Sequence, residues 1–141
     1  MLIKNRIASK CRIKDSHAAQ RTFDAGDSSV IYTSRSERHF PDQQQRLAFG
    51  EAVSRLLVEI VRELPGDIGF LICKGGITSN DILSQALALG AARVLGQIAP
   101  GCSVLRCPED HERFPNLPVV IFPGNVGDDS TLTLVYQRLL E

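Results

Sequence analysis

The chain has 141 residues, with 16 basic and 16 acidic side chains and a formal net charge of zero. That length suits one domain with a substantial core rather than two. Balanced charge removes the electrostatic case for nucleic acid, and no apolar stretch approaches the roughly 20 residues of a membrane-spanning helix.

The opening "MLIKNRIASKCRIK" has no apolar core of a secretory signal, yet carries Lys4, Arg6, Lys10, Arg12 and Lys14 without one acid. An organelle transit peptide could look like this. Alternating Ile7, Lys10, Arg12 and Ile13 fit an exposed edge strand or linker, and residues 1–28 are read in that way. "DSHAAQRTFDAG" then reads as a short helix ended by Gly26, and "SSVIYTS" as a β-branched strand.

After a polar connection, "QQQRLAFGEAVSRLLVEIVREL" repeats apolar residues at helical spacing. Leu47, Val53, Leu56, Leu57, Ile60, Val61 and Leu64 define one face, and Pro65-Gly66 stop it. "IGFLIC" is apolar at nearly every position, which predicts a strand covered on both faces. Thr78 or Ser79 is the expected cap of a helix through "NDILSQALALG", with Gly90 as its end. "ARVLGQI" and "SVLRC" read as strands around the turn "APGC". "EDHERFPN" is a polar loop, "LPVVIF" a strand, and "STLTLVYQRLLE" a closing helix. Alternating strands and helices predict an α/β fold, a three-layer α/β/α domain over 29–141. The hairpin-like piece around Cys102 makes its central sheet mixed. There is no internal repeat and no low-complexity segment.

Two strand ends carry the parts of an anion site. Behind "IGFLIC" come Lys74-Gly75-Gly76 and then Thr78-Ser79 at a helix start. Glycines let backbone N–H groups approach an oxyanion, and a helix N-terminus directs partial positive charge at it. No lysine follows the glycines at the helix start, so this is not a Walker A loop, and an ordinary strand-to-helix turn has the same parts. Asp81 reads as a favourable first-turn acid. "FPGNVGDD" repeats the arrangement with Gly124, Asn125 and Gly127, while Asp128 and Asp129 stand where helix N-caps or cation ligands stand. In an open α/β sheet two such loops face one crevice, where ligands bind.

Cys11, Cys73, Cys102 and Cys107 form no C-x-x-C pair, and reduced thiols in a cytoplasmic protein are the expectation. Cys102, Cys107 and His111 lack a fourth ligand nearby, so buried or half-exposed thiols are expected rather than zinc.

"KGGITSND", "GQIAPG" and "FPGNVGDD", in this order and with "VIYTSR" upstream, resemble the C-terminal nucleotide-binding domain of the four-carbon acid sugar kinases, some of which are labelled Hrp-dependent type III effectors. The resemblance covers roughly Ser29 to the C-terminus. It implies ATP, with its Mg2+, as the ligand, and short sugar acids such as tetronates and their 3-oxo forms as acceptors. It implies Gly75, Gly76, Thr78 and Ser79 near the phosphates, Gly124, Asn125 and Gly127 as a second wall, and Gly101 shaping the neighbouring turn. Ile77 matches a "GGITS" subgroup where many members have an acid. The family's Asp-Asp-rich sugar-acid domain and its opening "GSCS" strand have no counterpart here. The resemblance therefore implies part of an ATP domain, inactive alone, with an exposed sheet edge open to homo-oligomerisation.

Two other classes stay open: a non-catalytic domain whose glycine loops are only turns, and a small enzyme using Cys or His chemistry. His17, His39 and His111 stand in polar stretches with no nucleophile–base arrangement beside them.

Overall fold

The computed structural model of the chain describes residues 1–3, 21–22, 24–33 and 39–141. The basic run from Lys4 to Lys14, Cys11 and His17 lie outside the described residues. Of the expected early helix, Arg21, Thr22 and Asp24 are helical, and Gly26 (φ 75°) adopts the left-handed conformation that ends it.

Strands β1 (Leu2–Ile3), β2 (Ser29–Val30), β3 (Leu71–Lys74), β4 (Arg93–Ala99), β5 (Cys102–Arg106) and β6 (Pro118–Phe122) form one sheet in the order β2-β1-β3-β6-β5-β4. Only β3 and β6 pair in parallel; the other neighbours are antiparallel. The sheet is mixed, as the hairpin predicted. Strand β2 is shorter than "SSVIYTS" suggests, although Ile31 still exchanges backbone hydrogen bonds of 2.9 Å with Met1.

Helix α1 (Gln43–Glu63) begins on Asp42, whose carboxylate accepts the Gln45 N–H at 2.8 Å and its side-chain amide at 2.9 Å. It ends at Leu64, held extended before Pro65. Helix α2 (Gly76–Asp81) widens into a π-helical turn, Ile82–Ala86, and α3 (Thr131–Arg138) closes the chain. The second helix stops short of Gly90, the expected end. Ala88 (φ 49°) takes the left-handed position instead, because buried Ile82 and Leu87 set where the turn must sit on the core.

Strand alternation divides the core. Leu71, Cys73 and Val119 pack with Leu57, Val61 and Ile82 on the α1 face. Phe70, Ile72, Val120 and Phe122 pack with Val135 on the α3 face. Helices thus cover both sides of the sheet, giving three layers, and "IGFLIC" is buried on both faces as its composition predicts. Each such apolar side chain contributes roughly 1.5–3 kcal/mol by leaving water.

Helix α1 departs from its predicted face. Leu57, Ile60, Val61 and Leu64 are buried, and so is Val58; Leu47 and Leu56 are exposed. The polar loop after β5 also proves structural. Arg113 donates to the carbonyls of Arg62 and of Leu64 (2.9 Å), capping the end of α1, and Phe114 is buried beneath it. His111 bridges Leu87 O at 2.8 Å and accepts the N–H of Phe114 at 3.0 Å.

Candidate functional site

Parallel pairing brings the ends of β3 and β6 level, with Lys74 opposite Phe122. Both glycine loops therefore leave the sheet side by side. Gly75 donates its N–H to Phe122 O at 2.8 Å, and a Cβ on Gly124 would stand 3.9 Å from the Gly75 Cα. Gly75 has φ +103°, a backbone state that L side chains rarely adopt. Because β5 runs antiparallel to β6, the Pro100–Gly101 turn returns to the same end of the sheet. A Cβ on Gly101 would come within 2.9 Å of Val126 in the second loop. The three loops singled out in the sequence meet at one edge.

Helix α2 starts earlier than predicted, with Gly75 as N-cap and no side chain capping it. Its first backbone bond runs from Ser79 N to Gly75 O at 2.9 Å. The N–H groups of the preceding turn are thus presented without a helical partner, as at any helix start. Gly76 lies open, since a Cβ there would meet nothing within 4 Å. Thr78 is half-buried and lines a cleft. Ser79 is only 2% exposed, and its hydroxyl hydrogen-bonds Cys73 O (3.1 Å) and Gly75 O (2.7 Å). Ser79 therefore braces the loop from inside. Neither Thr78 nor Ser79 is the cap, because glycine at 75 lets the helix begin ahead of them.

The cleft, about 820 Å³, is lined by apolar Val30, Ile31, Ile72 and Leu132 and by Tyr32, Lys74 and Thr78. The Lys74 ammonium sits 4.0 Å from the centre of the Phe122 ring and 3.4 Å from Pro123 O. It thus reaches across to the second glycine loop. Sequence reasoning did not single out Tyr32 or Leu132 as site residues. An aromatic directly behind a strand was the available signal for Tyr32, which is 46% exposed.

In the second loop Gly127 has φ +82°, and a Cβ there would strike Thr131 at 2.7 Å. Asp128 Oδ1 accepts hydrogen bonds from the Ser130 hydroxyl (2.7 Å), the Thr131 hydroxyl (2.8 Å) and the Ser130 N–H (2.9 Å). Those bonds, the Ser130 hydroxyl first, hold its carboxyl down at about 2. Asp128 thus braces the turn that leads into α3, whose N-cap residue is Ser130. Asn125 and Asp129 are exposed. Asp81 closes α2 rather than opening it, and accepts a hydrogen bond from Ser54 of α1.

Cysteine chemistry finds no support among the described residues. Burial pushes the Cys73 thiol up to about 12 and the Cys107 thiol up to about 11, so both are protonated and unreactive near neutrality. Cys102 and Cys107 lie in different core clusters, because an odd spacing along a strand points side chains to opposite faces. No group of three or more His, Cys, Asp or Glu able to hold a metal exists among the described residues.

The sequence profile of the nucleotide-binding C-terminal domain matches residues 5–132. The chain belongs to that family. It is the domain that the glycine motifs resemble, so the convergent edge described above is the edge of a nucleotide-binding domain. A crystal structure of a domain of unknown function (DUF1537) from Bordetella bronchiseptica, with bound citrate and as a domain-swapped dimer, shares the fold. The likeness has a TM-score of 0.56 at 16% identity and covers 88% of this chain. The chain spans 30% of the Bordetella chain's length. No curated protein matches. Among the described residues, no helix is long and apolar enough to cross a membrane.

Proposed function

We propose that the chain is the ATP-binding portion of a kinase that phosphorylates four-carbon sugar acids of the tetronate or 3-oxo-tetronate type. The observation that carries this reading is the contact of two glycine turns at the ends of parallel strands, beside an apolar cleft. Phosphates lie over Gly75, Gly76 and Thr78, with Gly124, Asn125 and Gly127 as the facing wall. Backbone N–H groups can come within hydrogen-bond reach there because no side chain intervenes. Gly101 supports the second wall through Val126, and Ser79 holds the first loop in shape. Lys74 supplies a cation at the phosphate end, and Tyr32 and Leu132 offer apolar surface for the base.

Mg2+ would enter with the nucleotide in this reading and would offset the charge of its phosphates. Asp128 is committed to Ser130 and Thr131, so it fits the role of holding the loop better than that of a first ligand. The acceptor and its activating acid belong to a part of the kinase outside these 141 residues. Phosphoryl transfer depends on holding acceptor and γ-phosphate in line, an effect worth on the order of 7–11 kcal/mol of barrier. The chain alone accordingly binds nucleotide and turns over near background. The proposal carries a cytoplasmic location, where ATP is supplied and thiols stay reduced.

Calorimetric titration with Mg-ATP tests the cradle. Gly76→Val should weaken binding strongly while leaving thermal unfolding of the free protein nearly unchanged, since the new side chain occupies open space. Equal affinities would remove the loop from the site. If wild type itself gains no thermal stability from Mg-ATP, the non-catalytic reading of the domain replaces this one. ADP release with a panel of tetronates tests the division of labour, which robust turnover by the chain alone would overturn.

A further inference from the structure

Lys74 meets neutral partners at the junction of the two glycine loops. It ends β3 and is exposed, directly ahead of Gly75. Its ammonium lies 4.0 Å from the centre of the Phe122 ring, the residue paired with it across β3 and β6, and 3.4 Å from Pro123 O. A ring face and a carbonyl both attract a cation, yet neither carries the negative charge that would neutralise it. Phe122 is 1% exposed, so its ring is a fixed platform. Resting the ammonium on that platform restricts a flexible stem before any ligand arrives.

That placement sets the cation between the two turns. Pro123 leads into Gly124, and the chain leaves Lys74 through Gly75, whose N–H bonds Phe122 O at 2.8 Å. Among the described residues lining the adjoining cleft, Lys74 has the one charged side chain; the others are apolar or hydroxyl-bearing. Asp128, the first acid of the second loop, directs its Oδ1 to Ser130 and Thr131. A cleft of this make-up suits a ligand with an apolar body and concentrated negative charge. Hydroxyls bind neutral and charged groups alike, so the lysine is the member of this lining that reads how much charge a ligand carries.

We propose that Lys74 is the specificity-determining residue of this site and selects nucleotides by the number of their phosphates. Each added phosphate brings more negative charge within reach of a rotatable point cation, so attraction rises from AMP through ADP to ATP. Adenosine, which has no phosphate, gains nothing from it. The inference rests on the nucleotide reading and deepens it: the apolar wall holds the nucleoside, whereas Lys74 ranks its charge.

Calorimetric titration of the whole chain with ATP, ADP, AMP, adenosine and inorganic tripolyphosphate reads the outcome. EDTA is present throughout, so that no divalent ion offsets the phosphate charge. The wild type should bind ATP on the order of tenfold or more tighter than AMP. Lys74→Met keeps the length of the side chain and still covers the Phe122 ring, so thermal unfolding of the free protein should stay unchanged. It should lower ATP affinity by on the order of tenfold and change adenosine by no more than about twofold, which collapses the ranking. Lys74→Arg should restore most of it, and added salt should weaken ATP binding to the wild type more than to the Lys74→Met variant. A ranking that survives Lys74→Met overturns the proposal, as does an equal loss for every ligand, adenosine included. Tripolyphosphate separates this inference from the reading beneath it. A wild type that binds tripolyphosphate through Lys74 but no nucleotide upholds the lysine as the reader of phosphate charge and overturns the nucleotide reading; one that binds neither overturns both.

Discussion

From Leu57 to Leu64, α1 lies on the sheet; from Gln43 to Ala52 the same helix extends over solvent. Both halves carry apolar residues in one continuous stripe, and both are regular helix. They differ in what stands opposite. The later half faces Leu71, Cys73 and Val119, whose strands reach that far. Among the described residues, the earlier half faces Ile77, Asp81 and Gln85 across an open groove, and its Phe49 packs against the Phe40 ring. Helical periodicity states which face a helix can bury, whereas the length of the sheet decides how much of it is buried.

Substitutions along α1 sharpen that contrast. Leu64→Ala should cost about 2–5 kcal/mol in urea unfolding, because it removes methyl groups from a site closed on every side. A loss no larger than a surface substitution would break the contrast at once. Asp42→Ala, at the start of the exposed half, should cost about 1 kcal/mol through the lost cap on Gln45 N–H. That loss would appear as reduced helicity in the same unfolding curve. Leu47→Ala should change stability by no more than about 0.5 kcal/mol at concentrations where the chain is monomeric. A core-sized loss at Leu47 would mean that this half is buried in the monomer after all.

The smallest effect concerns the glycine edge and appears only in acid. Asp128 has its carboxyl lowered from 3.8 to about 2 by Ser130 and Thr131. A lowered folded pKa adds stability above the unfolded value, which is lost as pH falls from about 4 towards 2. Solvent screening keeps the effect small at this exposed site. Asp128→Asn should flatten that part of the stability–pH profile and leave neutral pH almost untouched. An unchanged acid limb would show that these hydrogen bonds do not persist in solution.

The sharp turns at the candidate site were legible in the sequence. Glycines at 75, 76, 101, 124 and 127 sit behind apolar β-branched runs, and such a pairing predicts a turn at a strand end wherever it occurs. Parallel pairing of β3 with β6 made those turns adjacent, and no local signal specifies which strands pair. The inward turn of Ser79 was equally hidden, because a serine at a helix start reads as a cap. Only the earlier beginning of α2 at Gly75 moved it inside. Tyr32 escaped notice as a site residue because its neighbours in space, Lys74 and Leu132, come from distant parts of the chain.

By itself, then, the sequence determined the α/β class, the extent of α1, the doubly buried third strand and the places where backbone must turn sharply. These follow from periodicity, side-chain branching and the freedom of glycine, all of which act within a few residues. Tertiary structure alone decided that the three glycine-bearing loops share one edge. It alone decided that Cys102 and Cys107 face opposite ways and that the first half of α1 stays exposed. Those outcomes depend on strand order and on where neighbouring elements end, and contacts between residues far apart in the chain set both.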